Sequence, residues 1–184
     1  MLEKKSVLCY AYKRGDYMSS VEIERKFIIE LPDFEKMREM SGYTFYDITQ
    51  VYMPTENGVS HRIRKRIGMR DVVYTETKKR RIDGMSAYED EAVITKERYD
   101  ELYSMRDKSL NVISKRRHTF TFSGQLFEID VYPNWQHSCI METELESKED
   151  FPKIPDFIRI VRDVTGIRIY SNHSMASAFP DELI

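Results

Sequence analysis

Residues 21–30 read V-E-I-E-R-K-F-I-I-E. Val21, Ile23, Arg25 and Phe27 fall on one parity, and Glu22, Glu24 and Lys26 on the other. Successive side chains of a β-strand point to opposite faces. The spacing therefore predicts a strand with two carboxylates and an ammonium in a row on one face and a mostly apolar opposite face. A helix fits poorly, because the apolar residues do not recur at i, i+3 and i+4. Two carboxylates two residues apart on a strand can share a hard divalent cation. Taken alone, the same strand also reads as a solvated charged face. The recurrence of the pattern along the chain favours the first reading.

The totals bound what surrounds this stretch. The 184 residues suit one domain with a sizeable core over 19–184. Residues 1–18 read as an arm or leader without the apolar stretch of a signal peptide, and Met18 would serve as an alternative start. The net charge is −2, so no global basic field draws nucleic acid, although 33% of the residues are charged. Cys9 and Cys139 lack metal-ligand spacing and give no disulfide framework, which fits a cytoplasmic protein. No apolar run approaches the roughly 20 residues of a membrane span.

Downstream of the first strand, Pro32 can open a helix over Asp33–Met40 that Gly42 ends. Tyr43–Met53 is aromatic-rich and extended, and Asn57-Gly58 is a turn signal before Val59–Ile67. That run places Arg62, Arg64 and Arg66 on one parity. In Arg70–Arg81, Lys78 and Arg80 align, opposite Thr77 and Lys79, and Asp83-Gly84 follows as a loop. Ala87–Ile94 puts Glu89 and Glu91 on one face. Thr95 is a helix N-cap for a helix running to Met105. In Asn111–Phe122, Lys115, Arg117, Thr119 and Thr121 alternate with Arg116, His118, Phe120 and Phe122. Ser123-Gly124 as a two-residue hairpin turn pairs Phe122 with Gln125, Thr119 with Glu128 and Arg117 with Asp130. Ser138–Glu146 aligns Glu142, Glu144 and Glu146. The tail reads as helical over Pro155–Thr165 with Gly166 as a C-cap, and again over Asn172–Ala178.

About eight strands and three or four short helices make an α+β or barrel-like protein. Strands with one face of like charges are costly on an open surface. They become sensible where alternation turns every second residue into a shared lumen. The ligand must then be strongly anionic, to satisfy the guanidiniums and ammoniums, and must bring cations for the carboxylates. A metal–polyphosphate complex meets both conditions, since Arg matches phosphate bidentately and carboxylates hold Mg²⁺ or Mn²⁺.

The motifs follow one family's order. E-I-E-R-K at 22–26 resembles the E-x-E-x-K signature of the CYTH superfamily, the triphosphate tunnel metalloenzymes. H-R-I-R at 61–64, T-K at 77–78, Y-E-D-E at 88–91, K-R-R at 115–117, F-E-I-D-V-Y at 127–132, M-E-T-E-L-E at 141–146 and Y-S-N-H-S-M-A at 170–176 resemble its later elements. The resemblance implies an eight-stranded antiparallel closed β-barrel with a few flanking helices, possible homodimerisation, and metal-dependent turnover of triphosphates. It implies Glu22, Glu24, Glu142 and Glu144 as ligands of Mg²⁺ or Mn²⁺, and Lys26, Arg62, Arg64, Lys78, Arg80, Lys115 and Arg117 as the phosphate grip. Glu128 and Asp130 would orient basic groups or hold a second metal, while Arg66, Glu89, Glu91 and Glu146 share the parity without an assigned role. Two departures stand out: Ala87 where the family often has Arg, and Ile169 in the basic pair before the tail tyrosine.

The E-R-K-F-I-I opening resembles the short bacterial branch that hydrolyses inorganic triphosphate. An adenylate cyclase of the same fold usually carries His-Phe where Ser20-Val21 stands here. Thiamine triphosphatase remains a further enzyme reading. A non-catalytic binder of polyphosphate or nucleotide is the alternative from a different class, and the carboxylate cluster argues against it.

Overall fold

The computed structural model describes residues 18–183, so the arm expected over 1–18 lies outside the described residues except for Met18. The chain forms β1 (Met18–Glu30), α1 (Phe34–Arg38), β2 (Ser41–Tyr52), β3 (Ser60–Ile67), β4 (Val72–Arg81), β5 (Ser86–Ile94), α2 (Lys96–Ser104), β6 (Ile113–Phe122), β7 (Gln125–Val131), β8 (Ser138–Glu144), β9 (Ile160–Asp163) and α3 (Asn172–Ser177). All strand pairings are antiparallel, in the order β5-β4-β3-β2-β6-β7-β8-β1-β9, and β1 also pairs with β5. That last pairing closes eight strands into a ring. The ring is not evenly disposed round an axis, so it is a tunnel rather than a round barrel.

The opening stretch does what its alternation predicts, with an extra duty from its length. The first half of β1 pairs with β5 over Met18–Ile23, and the second half with β8 over Glu24–Glu30. One strand thereby joins both ends of the sheet. Beyond β5, the outer edge of β1 at Phe27–Ile29 is covered by β9, and Glu30 N donates to Arg159 O at 3.0 Å. This corrects the helix expected over Pro155–Thr165. Backbone groups on the outer edge of β1 need partners, which an extended segment supplies.

Local signals set several other elements. Asp33 Oδ1 accepts from Glu35 N and Lys36 N to cap α1, and Thr95 Oγ1 accepts from Arg98 N to cap α2. Ser123 and Gly124 both have positive φ, +51° and +80°, the geometry of a two-residue hairpin turn. The resulting register pairs Phe122 with Gln125, Thr119 with Glu128 and Arg117 with Asp130, as the turn chemistry predicts. Gly42 does not cap α1: Glu39 does, and Gly42 lies in β2 beside a register shift against β6.

Apolar side chains fill the outside of the ring and one end of its inside. Phe27, Ile29, Phe120, Phe127, Ile129 and Met141 form one buried cluster beneath Met37 of α1. Ile28, Ile113, Tyr132 and Ile140 continue the inward parity of Lys26, Lys115, Asp130 and Glu142, and pack with Met175 and Ala176 of α3. Along the inward face the strands pass from charged to apolar, so the charged part ends on an apolar floor.

Candidate functional site

The inward face of the ring bounds a cavity of about 430 Å³. Its wall is built strand by strand. β1 contributes Glu22, Glu24 and Lys26; β3 contributes Ser60, Arg62 and Arg64; β4 contributes Lys79 and Arg81. β5 supplies Ala87, Glu89 and Glu91, β6 supplies Arg117, β7 Glu128, and β8 Glu142 and Glu144. Asp83 and Gly84 from the β4–β5 loop, and Arg168, Asn172 and His173 from the tail, line the rim. Period-two alternation brings these together: Glu24 lies opposite Glu144, Lys26 opposite Glu142, Glu128 opposite Glu142, and Lys79 opposite Glu89.

The charges form a connected network. Lys26 Nζ reaches Glu142 at 2.7 Å and Glu24 at 3.3 Å. Arg117 donates to Asp130 from Nε at 2.7 Å and from Nη2 at 2.6 Å, to Glu142 at 2.7 Å, and to Glu128. Arg62 donates to Glu89 at 2.7 Å, while Lys79 reaches Glu89 at 2.8 Å and Glu22 at 3.1 Å. Thr77 Oγ1 donates to Glu91 at 2.8 Å. Arg64 differs: its Nε and Nη2 both donate to Oε1 of Gln50, each at 3.2 Å.

Burial and neighbours pull these groups apart in acidity. Burial raises the Glu22 carboxyl to about 7, with Glu89 adding repulsion against the opposing attraction of Lys79. Burial also lifts Glu144 and Glu128, and each is lifted further by neighbouring carboxylates. Glu89 goes the other way, to about 2, because Arg62 and Lys79 outweigh its burial. Glu142 lies well below the carboxylate range despite burial, held by Lys26 and Arg117. Lys115 is lowered to about 8 by burial and by Arg117, against the attraction of Asp130.

Most of the site residues read from sequence converge on this wall, with four corrections. Lys78 and Arg80 point outward: Lys78 is exposed, and the Arg80 guanidinium lies 5.5 Å from the ring of Tyr88 on the outside. Lys79 and Arg81 take the inward places, because the β4–β5 loop pairs Lys79 with Glu89 and Arg81 with Ala87. Lys115 and Asp130 lie behind Arg117, with side chains 0% exposed and paired to each other, so neither faces the cavity. Arg66 stacks on Tyr46 with its guanidinium 4.5 Å from the ring, off the cavity wall. Glu146 lies exposed beyond the end of β8.

Sequence reading missed Lys79, Arg81, Gln50 and the rim residue His173. A signal for the first two existed: if Glu89 and Glu91 face inward, a loop that pairs residues of equal parity forces Lys79 inward too. Arg81 also stands beside Ala87. Among the described residues, no three carboxylate, imidazole or thiol groups are gathered as a ready metal site. The donor set nevertheless suits a hard cation. Glu22, Glu24 and Glu144 offer carboxylate oxygens, and the raised Glu22 and Glu144 mark negative charge that an added cation would relieve.

Solved structures place the architecture. The inorganic triphosphatase NE1496 matches with a TM-score of 0.54 and 24% identity over 87% of this chain and 97% of that one. The fold is the antiparallel tunnel fold of that protein. Two proteins of Pyrococcus horikoshii OT3 share the tunnel fold. PH1819 has a TM-score of 0.51 and 23% identity over 70% of this chain and 80% of that one. PH1012 has a TM-score of 0.52 and 21% identity over 70% and 81%. At these identities the likeness is one of fold. No family model matches the chain, and no curated protein does.

Proposed function

We propose that the protein is a metal-dependent triphosphatase acting first on inorganic tripolyphosphate. The observation that carries the reading is the sorting of charge within one cavity. Lys26, Arg62, Arg64, Lys79, Arg81 and Arg117 face the same space as Glu22, Glu24, Glu128 and Glu144. A polyanion arriving with a divalent cation matches both sets. Among the described residues the buried Nε of Arg62 has no hydrogen-bond partner, a donor that a phosphate oxygen would satisfy. The tunnel fold shared with the inorganic triphosphatase NE1496 supports the same reading.

In the ligand-free protein the cations are held by carboxylates. Phosphate oxygens would take over Lys26, Arg62, Lys79 and Arg117, whose fixed donors then lie where charge develops on the equatorial and leaving oxygens. Glu22 and Glu24, released by that exchange, together with Glu144 opposite Glu24 and Glu142 behind them, would hold Mg²⁺ or Mn²⁺. The metal, when bound, supplies charge neutralisation and Lewis-acid polarisation of the phosphoryl group. Asp130 keeps the Arg117 fork in place from behind. No side-chain nucleophile is required: Cys139 is fully buried, and burial pushes its thiol far up.

The test is phosphate release from tripolyphosphate with Mg²⁺ or Mn²⁺ beside ATP, with cyclic AMP assayed in the ATP reaction. Fast release from tripolyphosphate and slow release from ATP is the expected result. Cyclic AMP with pyrophosphate would replace the reading by a cyclase. Tight binding of tripolyphosphate without turnover of either would leave a binding module. Glu24→Gln should keep the fold and lose metal-dependent turnover by about a hundredfold or more; undiminished turnover would remove Glu24 from the metal set.

A further inference from the structure

Gln50 is 0% exposed near the C-terminal end of β2, opposite Arg64 in the β2–β3 register. Its amide oxygen accepts both Nε and Nη2 of Arg64 at 3.2 Å, and its amide nitrogen donates to Tyr52 Oη at 2.6 Å. Tyr52 stands on the cavity wall, with its ring edge-on to His173 at 4.8 Å. The amide is therefore locked: its nitrogen is committed to the tyrosine, so its oxygen must face the guanidinium.

Arg64 is thereby oriented through a neutral group. Lys26, Arg62, Lys79 and Arg117 each hold at least one carboxylate within ion-pair distance, whereas Arg64 has no ion pair among the described residues. A glutamate at position 50 would offer oxygen acceptors in nearly the same place and would cancel the charge. Folding alone would favour that choice, since burial and the nearby Arg62 already lower the Arg64 pKa. The glutamine instead fixes the fork while leaving the full positive charge on the cavity wall.

We propose that Gln50 is a positioning residue that aims Arg64 at an anionic ligand while keeping its charge unpaired, making Arg64 a pre-oriented anion receptor on the cavity wall. Lys26, Arg62, Lys79 and Arg117 must first give up a carboxylate; Arg64 need not. This rests on the reading of the cavity as a triphosphate site and deepens it, by identifying where the polyanion first gains charge-assisted hydrogen bonds.

The experiment pairs steady-state kinetics on tripolyphosphate with Mg²⁺ and thermal unfolding of the ligand-free protein, for wild type, Gln50→Glu and Gln50→Met. Gln50→Glu should raise KM at least about tenfold, the loss expected when a charge-assisted contact is neutralised. Its ligand-free Tm should stay unchanged or rise, because Arg64 gains a counter-charge and Tyr52 Oη can donate to the carboxylate. That opposite movement of binding and stability is a signature that a merely structural glutamine would not give. Gln50→Met keeps the volume and adds no charge, so it should raise KM several-fold through lost orientation; it also decides the matter if Gln50→Glu does not fold. A KM within twofold of wild type in either folded variant, or a KM rise that only tracks a falling Tm, overturns the proposal. A wild-type protein that neither turns over nor binds tripolyphosphate overturns the triphosphate reading itself, and the proposal with it.

Discussion

Asp130 shows how much one buried side chain carries here. It is 0% exposed, accepts two hydrogen bonds from Arg117 and pairs with Lys115. Removing it leaves two cations in a dry setting, and breaking a buried pair costs far more than a surface pair contributes. Asp130→Ala should therefore lose about 3–5 kcal/mol in a urea titration; a loss under about 1 kcal/mol would mean that Arg117 and Lys115 find other partners. His118 sets a pH dependence. It is 7% exposed, and burial together with Arg116 lowers it to about 4, so it is folded as the neutral imidazole beside Tyr43. The unfolded chain binds this proton near its usual pKa, and the folded chain only near 4. Stability from His118 is therefore whole above about pH 6.5 and is lost as the pH falls from there toward 4. Comparing wild type with His118→Phe, the wild type should lose about 2 kcal/mol more between pH 7.5 and pH 5; parallel curves would show that His118 titrates normally. The pairing of Asp130 with Arg117 was legible in the hairpin register. The depth of Asp130 and of His118 was not, because depth depends on what later strands lay over them.

The elements differ in how much of their geometry is local. The β6–β7 hairpin is nearly all local: Ser123-Gly124 dictates the turn, the turn dictates the register, and period two assigns every face. The β4–β5 connection is not. Its loop, residues 82–85, is held by Ile82 N and Asp83 N donating to Ser86 O and by Asp83 Oδ1 accepting from Met85 N and Ser86 N. The parity it imposes turns Lys79 rather than Lys78 inward. This loop also meets the tail. Gly166 has φ +74°, and a Cβ there would stand 3.1 Å from both Cα and O of Gly84. Gly166→Ala should accordingly cost about 1–3 kcal/mol through the strained φ and the backbone clash, and should shift the cavity rim. Unchanged Tm and unchanged KM would show that the tail moves aside without consequence.

At the scale of the whole molecule, ring closure converts separate charged strand faces into one cavity. The closing strand is the first, so Glu24 and Lys26 meet Glu144 and Glu142 from more than a hundred residues later. A ligand that replaces the internal carboxylate partners must bind the folded ring alone, and so stabilises it by mass action. Tripolyphosphate with Mg²⁺ at about a hundred times its Kd should add about 2.7 kcal/mol and raise Tm by roughly 5–10 °C. No shift at any concentration would separate the cavity from triphosphate altogether. Sequence alone determined the alternation of the strands, the sorting of charge onto one face of most of them and the register of the hairpin with a two-residue turn, because side-chain period and turn stereochemistry act within a few residues. Tertiary structure alone decided that Lys79 and Arg81 face inward, that Lys115 and Asp130 sink behind Arg117, that Gln50 holds Arg64, and that 160–163 is a strand. Each of those depends on backbone hydrogen bonds and close contacts with partners distant in the chain, whose position no local pattern encodes.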